Sequence, residues 1–253
     1  MGFEIVVTML LLGLLLGFVG AGGSGFIIAI LTVFFGIPIH IALGTALAAM
    51  VSTSVSGAFS HYREGNTLIR TGLVVGLSGA VGAWAGSQLA VYIPGGTLMV
   101  MTAAMQLLSA FLLWLRMTTV ARHGTGEAAE FREARGVRLG TIGVGLGFVT
   151  GLLSGTFGIG SAPFIQLGLM TFLRLPPRLS AGTTMLVILP TAVSGGASYL
   201  HAGYLDGLLL LQVVAGTMLG SYVGAKFTKR LPERVLKTTM VVLPVIAGLL
   251  LLV

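Results

Sequence analysis

The chain has 253 residues, of which 55% are hydrophobic and only 8% charged, with a mean hydropathy of +1.03. A soluble domain carries about 25% charged residues, so a water-soluble fold is excluded, and the apolar runs lack the two-residue alternation of a membrane barrel. The net charge of +7 does not call for nucleic acid, because Lys and Arg collect in the cytoplasmic loops of membrane proteins.

Apolar segments run over 3–35, 38–60, 68–92, 97–115, 139–173, 179–200, 207–225 and 235–253. Most approach the ~20 residues that carry a helix across ~30 Å of hydrocarbon. The fold class expected is therefore an all-α polytopic integral membrane protein. The first segment has no basic leader and continues to about Phe35, too long for the apolar core of a signal peptide. It is read as a retained membrane segment. Between the fourth and fifth segments lies a polar stretch from Arg116 to Arg138, holding Glu127, Glu130, Arg132, Glu133 and Arg135. This divides the chain into a first membrane repeat (1–116), a cytoplasmic linker (117–138) and a second membrane repeat (139–253).

The two repeats are visible in the residues. Residues 13–115 and 151–253 align without a gap at an offset of 138. Gly13, Gly17, Gly20 and Gly22 meet Gly151, Gly155, Gly158 and Gly160. Pro38 meets Pro176, and Gly44-Thr45 meets Gly182-Thr183. Thr53-x-Val55-Ser56-Gly57 meets Thr191-x-Val193-Ser194-Gly195, while Gly65, Gly82, Gly86 and Pro94 meet Gly203, Gly220, Gly224 and Pro232. Duplicated membrane chains of this kind are most often transporters with a site between the repeats.

Charge decides between two topologies. If every segment crosses once, the 14 Lys and Arg residues divide evenly between the two sides. If 3–35 and 139–173 instead enter and return, all 14 fall on one side. A run of 35 residues gives roughly 52 Å of helix, short of two full crossings but enough for a hairpin. Matching loops also exchange character: Arg63–Arg70 is basic and His201–Gly207 is not, whereas Lys226–Lys237 is basic and Gln88–Met99 is not. The positive-inside rule then predicts inverted repeats, each of five membrane-embedded segments including a glycine-broken hairpin, with both termini non-cytoplasmic.

The hairpin tips are the first candidate site. They read Gly20-Ala-Gly-Gly-Ser-Gly25 and Gly155-Thr-Phe-Gly-Ile-Gly160-Ser161. Glycine lets a helix unwind and restart, and irregular backbone at membrane depth is tolerated only where protein or a wet cavity surrounds it. Helices restarting there would aim free N–H groups inward, suited to an anion. The other reading is that the glycines only permit close helix crossing, the role expected of Gly13-x-x-x-Gly17 and Gly151-x-x-x-Gly155. The candidate binding residues are Gly20, Gly22, Gly23, Ser24 and Gly25 with Gly158, Gly160 and Ser161, joined by the hydroxyls of Thr45, Thr53, Ser56, Thr183, Thr191 and Ser194. Such hydroxyls equally often bond their own helix or a neighbour.

Chemistry of other kinds finds little support. All seven carboxylates (Glu4, Glu64, Glu127, Glu130, Glu133, Asp206 and Glu233) lie at segment ends or in loops, so the mid-membrane carboxylate of many ion-coupled carriers is absent. The chain has no cysteine and no phosphate loop, metal-ligand cluster or catalytic triad pattern. Neither a cofactor nor enzymatic activity is expected. His40, His61 and His201 sit near segment ends, where they either titrate or serve passively.

Three blocks, GFVGAGGSGFI, GIPIHIALGTALAAMVSTSVSGAFSHYREG and GTTMLVILPTAVSGGASYLHAG, resemble the TauE/SafE membrane proteins, known as exporters of sulfite or organosulfonates. The resemblance covers nearly all of the chain outside the linker. It implies a bacterial or archaeal inner-membrane protein moving small sulfur-containing anions, usually outward, with Gly20, Gly22, Gly23, Gly25, Gly158 and Gly160 as functional glycines. Ser161, Ala162 and Pro163 stand where the first half has Gly23, Ser24 and Gly25, so the tips need not contribute equally. The leading expectation is a secondary transporter of a small oxyanion working by alternating access. A passive anion channel and a non-transporting assembly factor are the alternatives. The partners expected are a small anion and the lipid bilayer. Lipid or a second protomer could cover the apolar faces, which leaves a homodimer open.

Overall fold

The computed structural model describes residues 2–19, 24–122, 137–158, 162–228 and 233–252. In hydrocarbon every backbone N–H and C=O must find its partner within the segment, which leaves helix as the conformation of the apolar runs. In chain order these are α1 (Gly2–Val19), α2 (Ser24–Ala29, continuing as a π-helical turn over Ile30–Phe34), α3 (Ile39–Arg63), α4 (Ile69–Val91) and α5 (Gly95–Arg122). The second half supplies α6 (Val137–Phe157), α7 (Ala162–Thr171), α8 (Pro177–His201), α9 (Gly207–Thr228) and α10 (Glu233–Leu250). Among the described residues five helices are long and apolar enough to cross a membrane: Ile39–Arg63, Ile69–Val91, Gly95–Leu115, Leu139–Phe157 and Leu179–His201. Shorter apolar helices fill the remaining segments. The chain is an all-α, multi-pass membrane protein.

The long runs 3–35 and 139–173 each break into two helices at the glycine clusters. The arms do not pack mainly on each other. Instead α1 lies along α9 and α6 along α4, while α2 rests on α3 and α10, and α7 on α8. Helix α5 continues to Arg122, so helix reaches beyond the boundary expected at 116; residues 123–136 of the linker lie outside the described residues.

The same elements recur 138 residues on. Helices Ile39–Arg63 and Pro177–His201 begin and end at matching positions, and α4/α9 and α5/α10 begin at matching positions. The match extends to the turns. After α3, Gly65 (φ +71°) donates its N–H to the Tyr62 carbonyl and Asn66 to that of His61. After α8, Gly203 (φ +79°) donates to Leu200 and Tyr204 to Tyr199. Each is a Schellman cap, in which a left-handed glycine returns orphan carbonyls to the chain. A further left-handed turn falls at Gly36 (φ +63°) and, 138 residues later, at Arg174 (φ +54°).

Glycine explains why the long contacts are so close. On α6, Gly147, Gly151 and Gly155 face the backbone carbonyls of Val75, Gly79 and Ala83 on α4. In return Gly82 and Gly86 of α4 face the carbonyls of Phe148 and Leu152. A methyl group on any of these would land on a carbonyl oxygen of the opposite helix. The α1–α9 seam repeats the arrangement, with Gly13 on Thr217, Gly216 on Val6 and Met9, and Gly220 on Leu10. Small residues of this kind let membrane helices approach within backbone contact, as expected for Gly13, Gly151 and Gly155.

Polarity is distributed as lipid requires. Leu73, Leu77, Val81, Val100, Leu108, Phe111 and Trp114 are exposed, while Ser54, Thr71, Ser87, Gln106, Thr150, Ser154 and Thr217 are buried.

Candidate functional site

The second glycine break is held from several sides. Helix α6 ends at Phe157, and Gly158 (φ +61°) donates its N–H to the Ser154 carbonyl at 2.8 Å, a left-handed cap. Its Cα faces Leu43 of α3 and Ile28 of α2. One turn earlier the Gly155 carbonyl accepts from the Tyr199 hydroxyl of α8 at 3.0 Å. Tyr199 is fully buried, and its Cβ lies against Gly44 of α3. Thr156 donates to the Gly86 carbonyl of α4 at 3.1 Å, or to its own helix at Leu152. Thus α3, α4 and α8 together fix where α6 stops.

The first break is met by α5. Ser24 and Gly25 open α2 and are buried, and the carboxamide of Gln106 presses directly against Gly25. Four residues along α2 from Ser24, Ile28 touches Gly158. The glycine-broken segments of the two halves therefore come together in one apolar cluster, with Ile27, Ile28, Leu43, Leu47, Phe157 and Tyr199 at its heart. Gly20, Gly22, Gly23, Gly160 and Ser161, all expected at these tips, lie outside the described residues.

The expected hydroxyls differ in what they bond. Thr183 accepts the Leu68 N–H at 3.1 Å, capping α4, a task that apolar Leu68 cannot perform for its own helix. Its counterpart Thr45 is fully buried with Oγ1 unpartnered, because α9 is capped by its own Asp206, whose Oδ1 accepts from the N–H groups of Leu208 and Leu209. Thr191 bonds carbonyls of its own helix, at Ile188 and Val187. Ser194 donates to the Ala80 carbonyl of α4 at 2.7 Å. In the first half, Thr53 bonds its own Met50 carbonyl, and both Thr53 and Ser56 are exposed.

Gln106 was not among the residues expected from sequence. The available signal was its type: it is the sole carboxamide in the 97–115 run. No Asp, Glu, Lys or Arg falls within Ser24–Phe34, 97–115 or Ala162–Thr171, so the groups near the breaks are neutral. Among the described residues no three His, Asp or Glu side chains are close enough to hold a metal ion. His40 anchors a loop: its Nε2 donates to the Ala90 and Ile93 carbonyls at 3.1 and 3.2 Å, and its ring lies 5.0 Å from that of Tyr204.

Comparison with known proteins places this architecture. The sequence profile described as "Sulfite exporter TauE/SafE" matches residues 5–251. The chain belongs to the TauE/SafE family. It is 53% identical to "Probable membrane transporter protein YdhB" of Bacillus subtilis, over 98% of this chain and 99% of that protein. It is also similar to the "Probable membrane transporter protein YunE" of the same organism, at 22% identity over 96% and 95% of the two chains. A third relative is "Probable membrane transporter protein MJ0441" of Methanocaldococcus jannaschii, at 23% over 98% and 94%. No solved structure matches. The family and these relatives make the chain one of a group of membrane transporters.

Proposed function

We propose that this chain is a secondary transporter of small sulfur-containing oxyanions, sulfite or an organosulfonate, that exports them across the bacterial or archaeal inner membrane. It is built as two inverted repeats, 1–116 and 139–253, with the basic loops and the 117–138 linker cytoplasmic and both termini outside. The observation that carries this reading is the contact of Gly158, at the second break, with Ile28 of the helix that follows the first, in a cluster free of charge. A small anion there is held by backbone N–H groups and neutral side chains. Family membership supports the substrate class, and the recurrence of helices and caps at 138 residues supports the repeats.

A difference between the halves supports alternating access. Helix α4 covers α8 along its length: Gly72 meets Leu186, Gly76 meets Pro190, Gly79 meets Thr191, and Ser194 and Ser198 bond α4 at Ala80 and Gln88. The corresponding stripe of α3, Thr53, Ser56 and Ser60, is exposed. Two halves of one design in two arrangements can exchange them. In the opposite state α9 closes over α3, and Ser56 donates to the Met218 carbonyl as Ser194 does to Ala80.

The transport reading is tested in proteoliposomes. Sulfite preloaded inside is expected to accelerate uptake of labelled sulfite several-fold over empty vesicles, since a carrier returns faster when occupied. Saturable uptake without that stimulation would indicate a channel. The motion is tested with Ser56→Cys/Met218→Cys, convenient because the chain has no native cysteine. Oxidation is expected to form the disulfide and stop transport, and reductant to restore it. Methanesulfonate is the transported anion in this assay, because sulfite itself cleaves disulfides; full transport of it with no cross-link under turnover would remove this closing movement.

A further inference from the structure

Gln106 sits deep in an apolar span with its donor unused. It lies eleven residues beyond Gly95 on α5, ~16 Å along the axis at 1.5 Å per residue and so near the middle of a ~30 Å hydrocarbon layer. Its side chain is 3% exposed, and Nε2 has no hydrogen-bond partner. A methyl group on Gly25 would occupy the place of Nε2; only glycine leaves room for the carboxamide there. One turn earlier on the same face, Thr102 is fully buried, and its Oγ1 is also unpartnered.

Unsatisfied polar groups at membrane depth are costly, and each calls for a physical reason. Their setting gives one. Gln106 adjoins Gly25 directly after the first glycine break, with Thr102 one turn away on the same helix, beside the cluster where both halves meet. The second half does not repeat them, since Met240 and Pro244 stand 138 residues beyond Thr102 and Gln106. A feature that only built the repeat would have been duplicated with the helix.

We infer that Gln106 and Thr102 form a neutral hydrogen-bonding site for an oxygen of a small oxyanion, with the Gln106 Nε2 as donor and Gly25 providing the space. This rests on the transport reading above and assigns its recognition to uncharged donors on the first-half side. A carboxamide N–H and a hydroxyl suit the S–O oxygens shared by sulfite and sulfonates. Neither group imposes a charge that would trap the ion in the membrane.

The test compares wild type with Gln106→Leu and Thr102→Val, each close in shape to the native residue, in detergent with sulfite under nitrogen and with methanesulfonate. Affinity is read from the ligand-dependent shift in Tm. For Gln106→Leu, affinity for sulfite is expected to fall at least tenfold, about 1.4 kcal/mol, while ligand-free Tm holds or rises because an unpaired polar group has gone. Thr102→Val should move both readouts in the same directions by smaller amounts, and serves if Gln106→Leu does not fold. Wild-type affinity in both variants overturns the assignment and leaves the transport reading standing. A lower ligand-free Tm with unchanged affinity makes Gln106 a packing residue. If neither anion shifts wild-type Tm, the substrate class and this site fall together.

Discussion

Gly151→Ala is expected to destabilise the protein by about 2 kcal/mol or more, whereas Gly145→Ala in the same helix leaves stability unchanged or raises it by up to about 1 kcal/mol. Intrinsic propensity favours alanine at both positions, because glycine surrenders more backbone freedom on entering a helix. The surroundings reverse the sign at one of them. A Cβ on Gly145 meets nothing within 4 Å, while on Gly151 it falls on the Gly79 carbonyl of α4. The clash is backbone against backbone, so no rotamer change relieves it. The seam must open along the neighbouring contacts of Gly147 and Gly155 as well. Thermal or denaturant unfolding in detergent, with both variants beside wild type, measures the difference. Equal stabilities would mean that α4 and α6 are not held in backbone contact.

The sequence discloses the segments, the repeat and the positions of several turns, because these depend on local rules. Glycines at 65 and 203 mark left-handed caps, and prolines at 38 and 176 precede helix starts, wherever the helices later pack. Long-range partners are less accessible. The spacing of Gly13 and Gly17, or of Gly151 and Gly155, says that some helix comes close. It does not say that α1 takes α9 and α6 takes α4 rather than the other arm of each hairpin. Duplication in sequence also does not give matched hydroxyls matched partners. Thr45 and Thr183 match in sequence, yet Leu68 leaves a helix end for Thr183 to cap, and Asp206 leaves none for Thr45. Ser56 and Ser194 match as well, yet only Ser194 is covered by a neighbouring helix. Gln106 has no duplicate, so a reading built on matched positions passes over it.

Gly158→Val is expected to lower sulfite exchange by roughly a hundredfold, the scale of an ångström's misplacement in a positioned site, while the protein still inserts and purifies as a single species. Two separate constraints act at this residue. Its φ of +61° costs an ordinary L-residue roughly 1–2 kcal/mol, and a β-branched one more. Independently, any Cβ would overlap Leu43 and stand 2.9 Å from Ile28. The variants can separate these effects. Gly158→Asn tolerates the left-handed conformation and retains only the steric conflict. Adding Leu43→Ala to Gly158→Asn removes the nearer of the two atoms in conflict, leaving Ile28, and should recover part of the exchange rate. The same Leu43→Ala added to Gly158→Val should recover little, because the backbone conflict persists. Wild-type exchange by Gly158→Val would detach the second break from transport, and with it the placement of the site where the two halves meet. Rescue confined to the asparagine pair would show that transport depends on how closely the second tip seats against α3 and α2. That is the contact a rocking movement of one half against the other must keep or break.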